Sequence, residues 1–219
     1  MDMIKEYLFD SLVYIQFIPA IIGLLYWNKF KIEYKIFILV LWYSALNELF
    51  KIYYGTYIDI GQNRILTNIY NAVYFMFLFW LFYRNVLLKS IKKYIVIFII
   101  LYFVSIGYEL FVQKLNYHNK TQVLPFIIGG IGIMYCVLFY FVKILNSLKV
   151  NSVYTDLLFW IATAHFIYYL AFTPFKLGEN YFYEFHRLPN LGNIKIGVTV
   201  IKIVILSIGF IWSGKKEKL

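Results

Sequence analysis

Apolar residues dominate this chain in long unbroken stretches, and neither the alternation of a half-buried strand nor the one-sided stripe of a surface helix organises them. Seven such stretches run Ser11–Trp27, Ile36–Tyr54, Leu66–Val86, Tyr94–Gln113, Val123–Leu145, Asp156–Pro174 and Ile194–Ser213. A hydrocarbon core about 30 Å thick takes roughly 20 helical residues to cross. In lipid each backbone amide must be satisfied within its own segment or in a closed barrel. Barrel strands are about ten residues long with dyad alternation, whereas these stretches are continuous and about twice that length. The pattern therefore predicts an all-α membrane protein, a single polytopic domain spanning 1–219 as a bundle of about seven transmembrane helices.

Composition agrees. Hydrophobic residues make up 62% of the 219 and charged residues only 15%, against about 25% charged in an ordinary soluble domain. The start, Met1–Asp10, lacks a basic region and a small-residue cleavage site, so the first apolar stretch is expected to remain in the mature protein.

Orientation follows from where Lys and Arg sit near the helix ends. The odd-numbered connections and the C-terminal tail carry Lys29, Lys31, Lys35, Arg84, Lys89, Lys92, Lys93, Lys143, Lys149, Lys215, Lys216 and Lys218. The other side holds fewer. The expectation is a multi-pass protein of a bacterial cell (inner) membrane with its N-terminus outside and its C-terminus in the cytoplasm. The net charge of +10 is mostly this bias, so the lipid bilayer is the partner it implies and nucleic acid is not.

Short internal matches point to a 3+1+3 parallel duplication. Asn68-Ile69 opens the third stretch as Asn193-Ile194 opens the seventh, and Trp42, Ala45 and Asn47 share offsets with Trp160, Thr163 and His165. Parallel repeats of this kind occur in transporters.

The polar residues inside the apolar stretches carry the functional expectation, because such groups are costly in a membrane. Gln16, Asn47, Glu48, Asn71, Glu109, His165 and Lys202 all fall within about 6–12 Å of the outer face at 1.5 Å per residue. The cytoplasmic halves, such as Phe75–Leu81 and Ile203–Leu206, are apolar. These seven residues are the expected ligand-binding set, lining a polar cavity in the outer half. Glu48, His165 and Lys202 are expected to face the interior, with Glu48 or Glu109 as the counter-charge of Lys202. Glu48 has a plainer use, pairing with Lys51 one turn away. Gly129, Gly130 and Gly132 are expected to let helices approach closely.

Catalytic and metal-binding patterns are missing. The three histidines (His118, His165, His186) have no zinc-ligand spacing, Cys136 is alone, and G-x-S-x-G and P-loop motifs do not occur. No catalytic residue, metal or cofactor is expected, and an enzyme is the least favoured reading. Seven helices with a lysine in the middle of the last resemble the retinal-binding microbial rhodopsins in architecture. Val198 stands where those proteins carry an acid, and their third-helix arginine and aspartate are missing from Asn68–Arg84, so no family is assigned. The leading expectation is a bundle that binds a small molecule or ion, as transporter or sensor. The alternative is an accessory or effector subunit of a defence or envelope system, working through a protein partner, as a homo-oligomer or by permeabilising the membrane.

Overall fold

The computed structural model describes residues 13–57, 64–85, 89–118, 120–146, 150–181 and 191–215. Every regular element among them is helical. We number the α-helices α1 (Phe17–Leu25), α2 (Ile32–Tyr57), α3 (Arg64–Asn85), α4 (Lys89–Gly107), α5 (Leu124–Leu145), α6 (Leu157–Tyr181) and α7 (Leu191–Gly214). Six of the helical segments are long and apolar enough to cross a membrane: Ile32–Tyr54, Arg64–Asn85, Ile91–Val112, Leu124–Leu145, Leu157–Gly178 and Ile194–Gly214. The first apolar stretch is described as the shorter helix Val13–Leu25. Pro19 has no amide hydrogen for the carbonyl of Ile15, and the helix is interrupted at Gln16. Met1–Asp10 lies outside the described residues.

Two boundaries differ from the hydropathy reading for physical reasons. Pro174 was expected to end its helix, yet α6 continues to Tyr181. A proline forfeits one hydrogen bond but holds a helical φ, and the residues around it are anchored: Thr173 is 6% exposed, and Lys176 donates to Thr121 Oγ1 at 3.3 Å. The fourth stretch stays helical but widens after Gly107 into a π-helical turn, Tyr108–Val112. Gln113 N donates to the carbonyl of Tyr108 at 3.1 Å and Leu115 N to that of Glu109 at 2.9 Å, across Lys114 in the left-handed region at φ 51°.

The chain forms two compact units. The first comprises Met1–Glu48, Phe141–Tyr168 and Asn190–Leu219, and the second Leu49–Tyr140 and Tyr169–Pro189. In the first unit α1 and α7 pack together. Phe37, Ile161 and Phe210 are fully buried, and Phe210 sits between Phe30 and Phe37, with centroids 5.7 and 6.2 Å away. Gly209 admits the Trp160 side chain: a Cβ there would lie 2.3 Å from the Trp160 Cβ.

In the second unit the core is aromatic. The Phe75 ring meets Tyr102 at 5.4 Å, Phe126 at 5.7 Å and Tyr169 at 5.3 Å. Gly129 closes this box, Gly130 faces Thr173 and Tyr169, and Gly132 faces Phe79 and Phe98. All three glycines of α5 thus serve close helix packing.

Candidate functional site

In the first unit, α2, α6 and α7 bring polar groups together. His165 and Tyr168 are three residues apart on α6 and so share a face. The Lys202 ammonium of α7 lies 4.5 Å from the centroid of the Tyr168 ring, within the range of a cation–π contact. Lys202 is also within electrostatic reach of His165, and Glu48 within reach of Tyr168. Of the three residues expected to face the interior, His165 is buried and Glu48 and Lys202 are half-buried.

His165 is fully buried. Its Nδ1 is 2.6 Å from the carbonyl oxygen of Ile161, one turn earlier, and its ring packs edge-on to Phe37 with centroids 6.0 Å apart. A carbonyl only accepts, so Nδ1 carries the hydrogen and, in the neutral ring, Nε2 is left as an acceptor. Tyr34, lower on α2, donates through its hydroxyl to Asp156 Oδ1 at 3.2 Å, and Asp156 Oδ1 also accepts from Leu158 N at 3.0 Å. That carboxylate caps the start of α6 and is separate from the lysine cluster.

Two other expected residues of this unit stand apart. Asn47 is buried, and its side-chain nitrogen has no hydrogen-bond partner. It immediately precedes Glu48, about 100° away around α2, and so projects from a different face. Gln16 is half-buried at the interruption of the first helix and makes no capping bond.

The second unit places the remaining two. Asn71 is buried on α3, 9% exposed. Glu109, 1% exposed, sits in the π turn with three donors on its carboxylate. The Tyr117 hydroxyl donates to Oε2 at 2.6 Å, and the amides of Val123 and Leu124 donate to Oε1 at 3.1 and 2.7 Å. It therefore caps α5, where an anion is favoured by the helix dipole and by amides that have no partner within the helix. Burial and the adjacent Glu109 carboxylate push the Tyr117 phenol well above its usual range, so it remains a donor. Asn68 completes the clasp. Its Nδ2 donates to the carbonyls of Tyr117 and Lys120 at 3.0 and 2.9 Å, and its Oδ1 accepts from Gln122 N at 2.8 Å. The Tyr102 hydroxyl donates to Gln122 Oε1 at 3.2 Å.

Tyr168, Asn68, Tyr102, Tyr117 and Gln122 were not singled out by sequence reasoning. Tyr168 had a usable signal, its three-residue spacing from a buried histidine. The others join a helix to the residues 113–123 and leave no local pattern.

Among the described residues, fold and site together define an all-helical protein with six helices long and apolar enough to span a membrane and a polar cluster within them. Comparison with protein-family models, curated proteins and solved structures gives no match.

Proposed function

We propose that this chain is a multi-pass membrane protein that binds a small molecule or ion at the Glu48–His165–Tyr168–Lys202 cluster, as a transporter or a sensor. Six segments of span length support the membrane reading. The seventh crossing, through the first helix and the residues before it, the outside N-terminus and the 3+1+3 duplication belong to the same proposal and rest on the sequence.

The observation that carries the ligand reading is the Lys202 ammonium, 4.5 Å from the Tyr168 ring centroid, in a helix otherwise nearly free of charge. Ionisable groups at such depth mark substrate and ion pathways. Glu109 is better suited to fastening α5 than to ligand binding, because its carboxylate already accepts three hydrogen bonds.

The test is a screen of the purified protein in detergent. Wild type and Lys202→Met are melted against a panel of inorganic ions, carboxylates, amines and sugars. At least one solute is expected to raise the midpoint of wild type saturably and to lose that effect in Lys202→Met. A panel that shifts both proteins alike removes the reading.

A further inference from the structure

Away from the polar cluster, one end of the first unit gathers lysines and rings. Side-chain contacts show which segments meet there. Tyr26 packs over Gly214, Phe30 meets Phe210 at 5.7 Å, and the Tyr34 hydroxyl reaches Asp156. The Tyr154 and Trp212 rings meet edge-on at 5.9 Å. The turn from α1 into α2, the start of α6 and the end of α7 therefore lie together. The end of α5 joins them, since Phe141 packs on Phe159 at 5.9 Å.

Five described lysines belong to these segments: Lys29, Lys31 and Lys35 around the turn, Lys143 in the last turn of α5 and Lys215 just past α7. Glu33 and Asp156 are the described carboxylates of the same segments. Two carboxylates cannot balance five ammoniums, so among the described residues this end is positive whichever groups pair. Lys31 and Lys215 are exposed.

Depth and ring chemistry say what this charge faces. Lys31 and Lys215 immediately flank the spans Ile32–Tyr54 and Ile194–Gly214, the level at which a bilayer places its headgroups. Rings with a polar edge are exposed at the same level, Trp212 at 54% and Tyr154 at 46%. Trp160 Nε1 donates to the Tyr154 carbonyl at 2.7 Å, which fixes the backbone that carries that ring. Trp27 lies 5.7 Å by its ring centroid from the Lys35 ammonium, within the range of a cation–π contact. Tryptophan and tyrosine settle at the headgroup level, and lysines beside them meet the phosphates of anionic lipid. A soluble acidic partner would call for the charge without this girdle of rings.

We propose that this end of the first unit binds anionic phospholipid headgroups, with Lys31, Lys35 and Lys215 contacting the phosphates and Trp27, Tyr154 and Trp212 setting their depth. It rests on the membrane reading above and is independent of any ligand at Lys202.

The test follows the thermal midpoint of the full chain in a neutral detergent as lipid is added. Wild type is expected to be stabilised saturably by phosphatidylglycerol and not by phosphatidylcholine. A triple variant, Lys31→Gln, Lys35→Gln and Lys215→Gln, is expected to need at least about tenfold more phosphatidylglycerol, since each lysine near an anionic surface is worth about fivefold. Arginine at the same three positions keeps the charge and is expected to keep the response. A charge-matched control in the second unit, Arg64→Gln, Lys114→Gln and Lys120→Gln, is expected to behave as wild type. The inference is overturned if the two lipids act alike on wild type, if the first glutamine variant responds like wild type, or if the arginine variant or the control loses the response. Sodium phosphate at constant ionic strength is the last arm. Lysine-dependent stabilisation by free phosphate equal to that by the lipid would overturn the headgroup assignment. Washing phosphatidylcholine liposomes with alkaline carbonate separates this inference from the membrane reading. Protein that washes off overturns both, whereas retained protein without a phosphatidylglycerol response overturns the inference alone.

Discussion

The ammonium of Lys202 lies 4.5 Å from the centroid of the Tyr168 ring, so α7 and α6 meet through a cation on an aromatic face. A contact of this kind is worth about 0.5–2 kcal/mol, more when desolvated. Tyr168→Phe keeps the ring and with it the contact to the ammonium, whereas Tyr168→Leu removes it. A thermal double-mutant cycle of Tyr168→Leu with Lys202→Met should return a coupling of about 0.5–2 kcal/mol. Additive losses would show that the two side chains do not interact.

Glu109 is predicted to act as a cap. Glu109→Ala leaves a phenol and two backbone amides without their acceptor and should cost about 2–5 kcal/mol. Glu109→Gln keeps the oxygen that accepts from Val123 and Leu124 and loses mainly the charge, at about 1 kcal/mol. Equal losses for Ala and Gln in a thermal melt would contradict the cap.

Tyr117 gives this clasp a pH signature. Its phenol is raised in the folded state, while an unfolded tyrosine titrates near pH 10. Above that pH the unfolded chain releases a proton that the folded chain retains, so the contribution is complete below about pH 10 and shrinks as pH rises further. The stability difference between wild type and Tyr117→Phe should therefore narrow between about pH 9 and pH 11. A difference constant across that range would show that the phenol is not held as a donor.

Two glycines are predicted to respond oppositely to alanine. A Cβ at Gly129 would fall 2.7–2.9 Å from the Phe75 ring, which Tyr102, Phe126 and Tyr169 hold in place. Gly129→Ala should destabilise by about 1–3 kcal/mol. At Gly197 nothing lies within 4 Å of the added atom, so Gly197→Ala should be neutral or stabilise by up to about 1 kcal/mol through helix propensity. Thermal melts of the two variants, moving in the same direction, would contradict the packing.

Most of the helices were legible because a membrane solvent demands long apolar runs, and those runs need no tertiary context to be read. The ends were less so. Pro174 breaks the local rule for a helix interior, but tertiary contacts carry α6 through it. The π turn at Tyr108–Val112 follows from where Glu109 and Leu115 place their hydrogen bonds, which hydropathy does not encode.

In the site, Lys202, His165 and Glu48 stood out because polar groups deep in apolar helices are expensive. Tyr168 was hidden among 22 tyrosines. Asn68 and Gln122 pair across 54 positions, a relationship that spacing along one helix cannot reveal.

The account turns on Lys202 occupying a water-accessible polar site inside a membrane-crossing helix, and thiol accessibility measures that directly. In a Cys136→Ser background reconstituted into liposomes, single cysteines are placed at position 202 and at position 204, where Val204 is 48% exposed on the apolar surface of the same helix. A charged, water-soluble thiol reagent is expected to label the cysteine at 202 quickly, while the cysteine at 204 stays unlabelled in lipid. Rapid labelling at 204 with none at 202 would contradict the account.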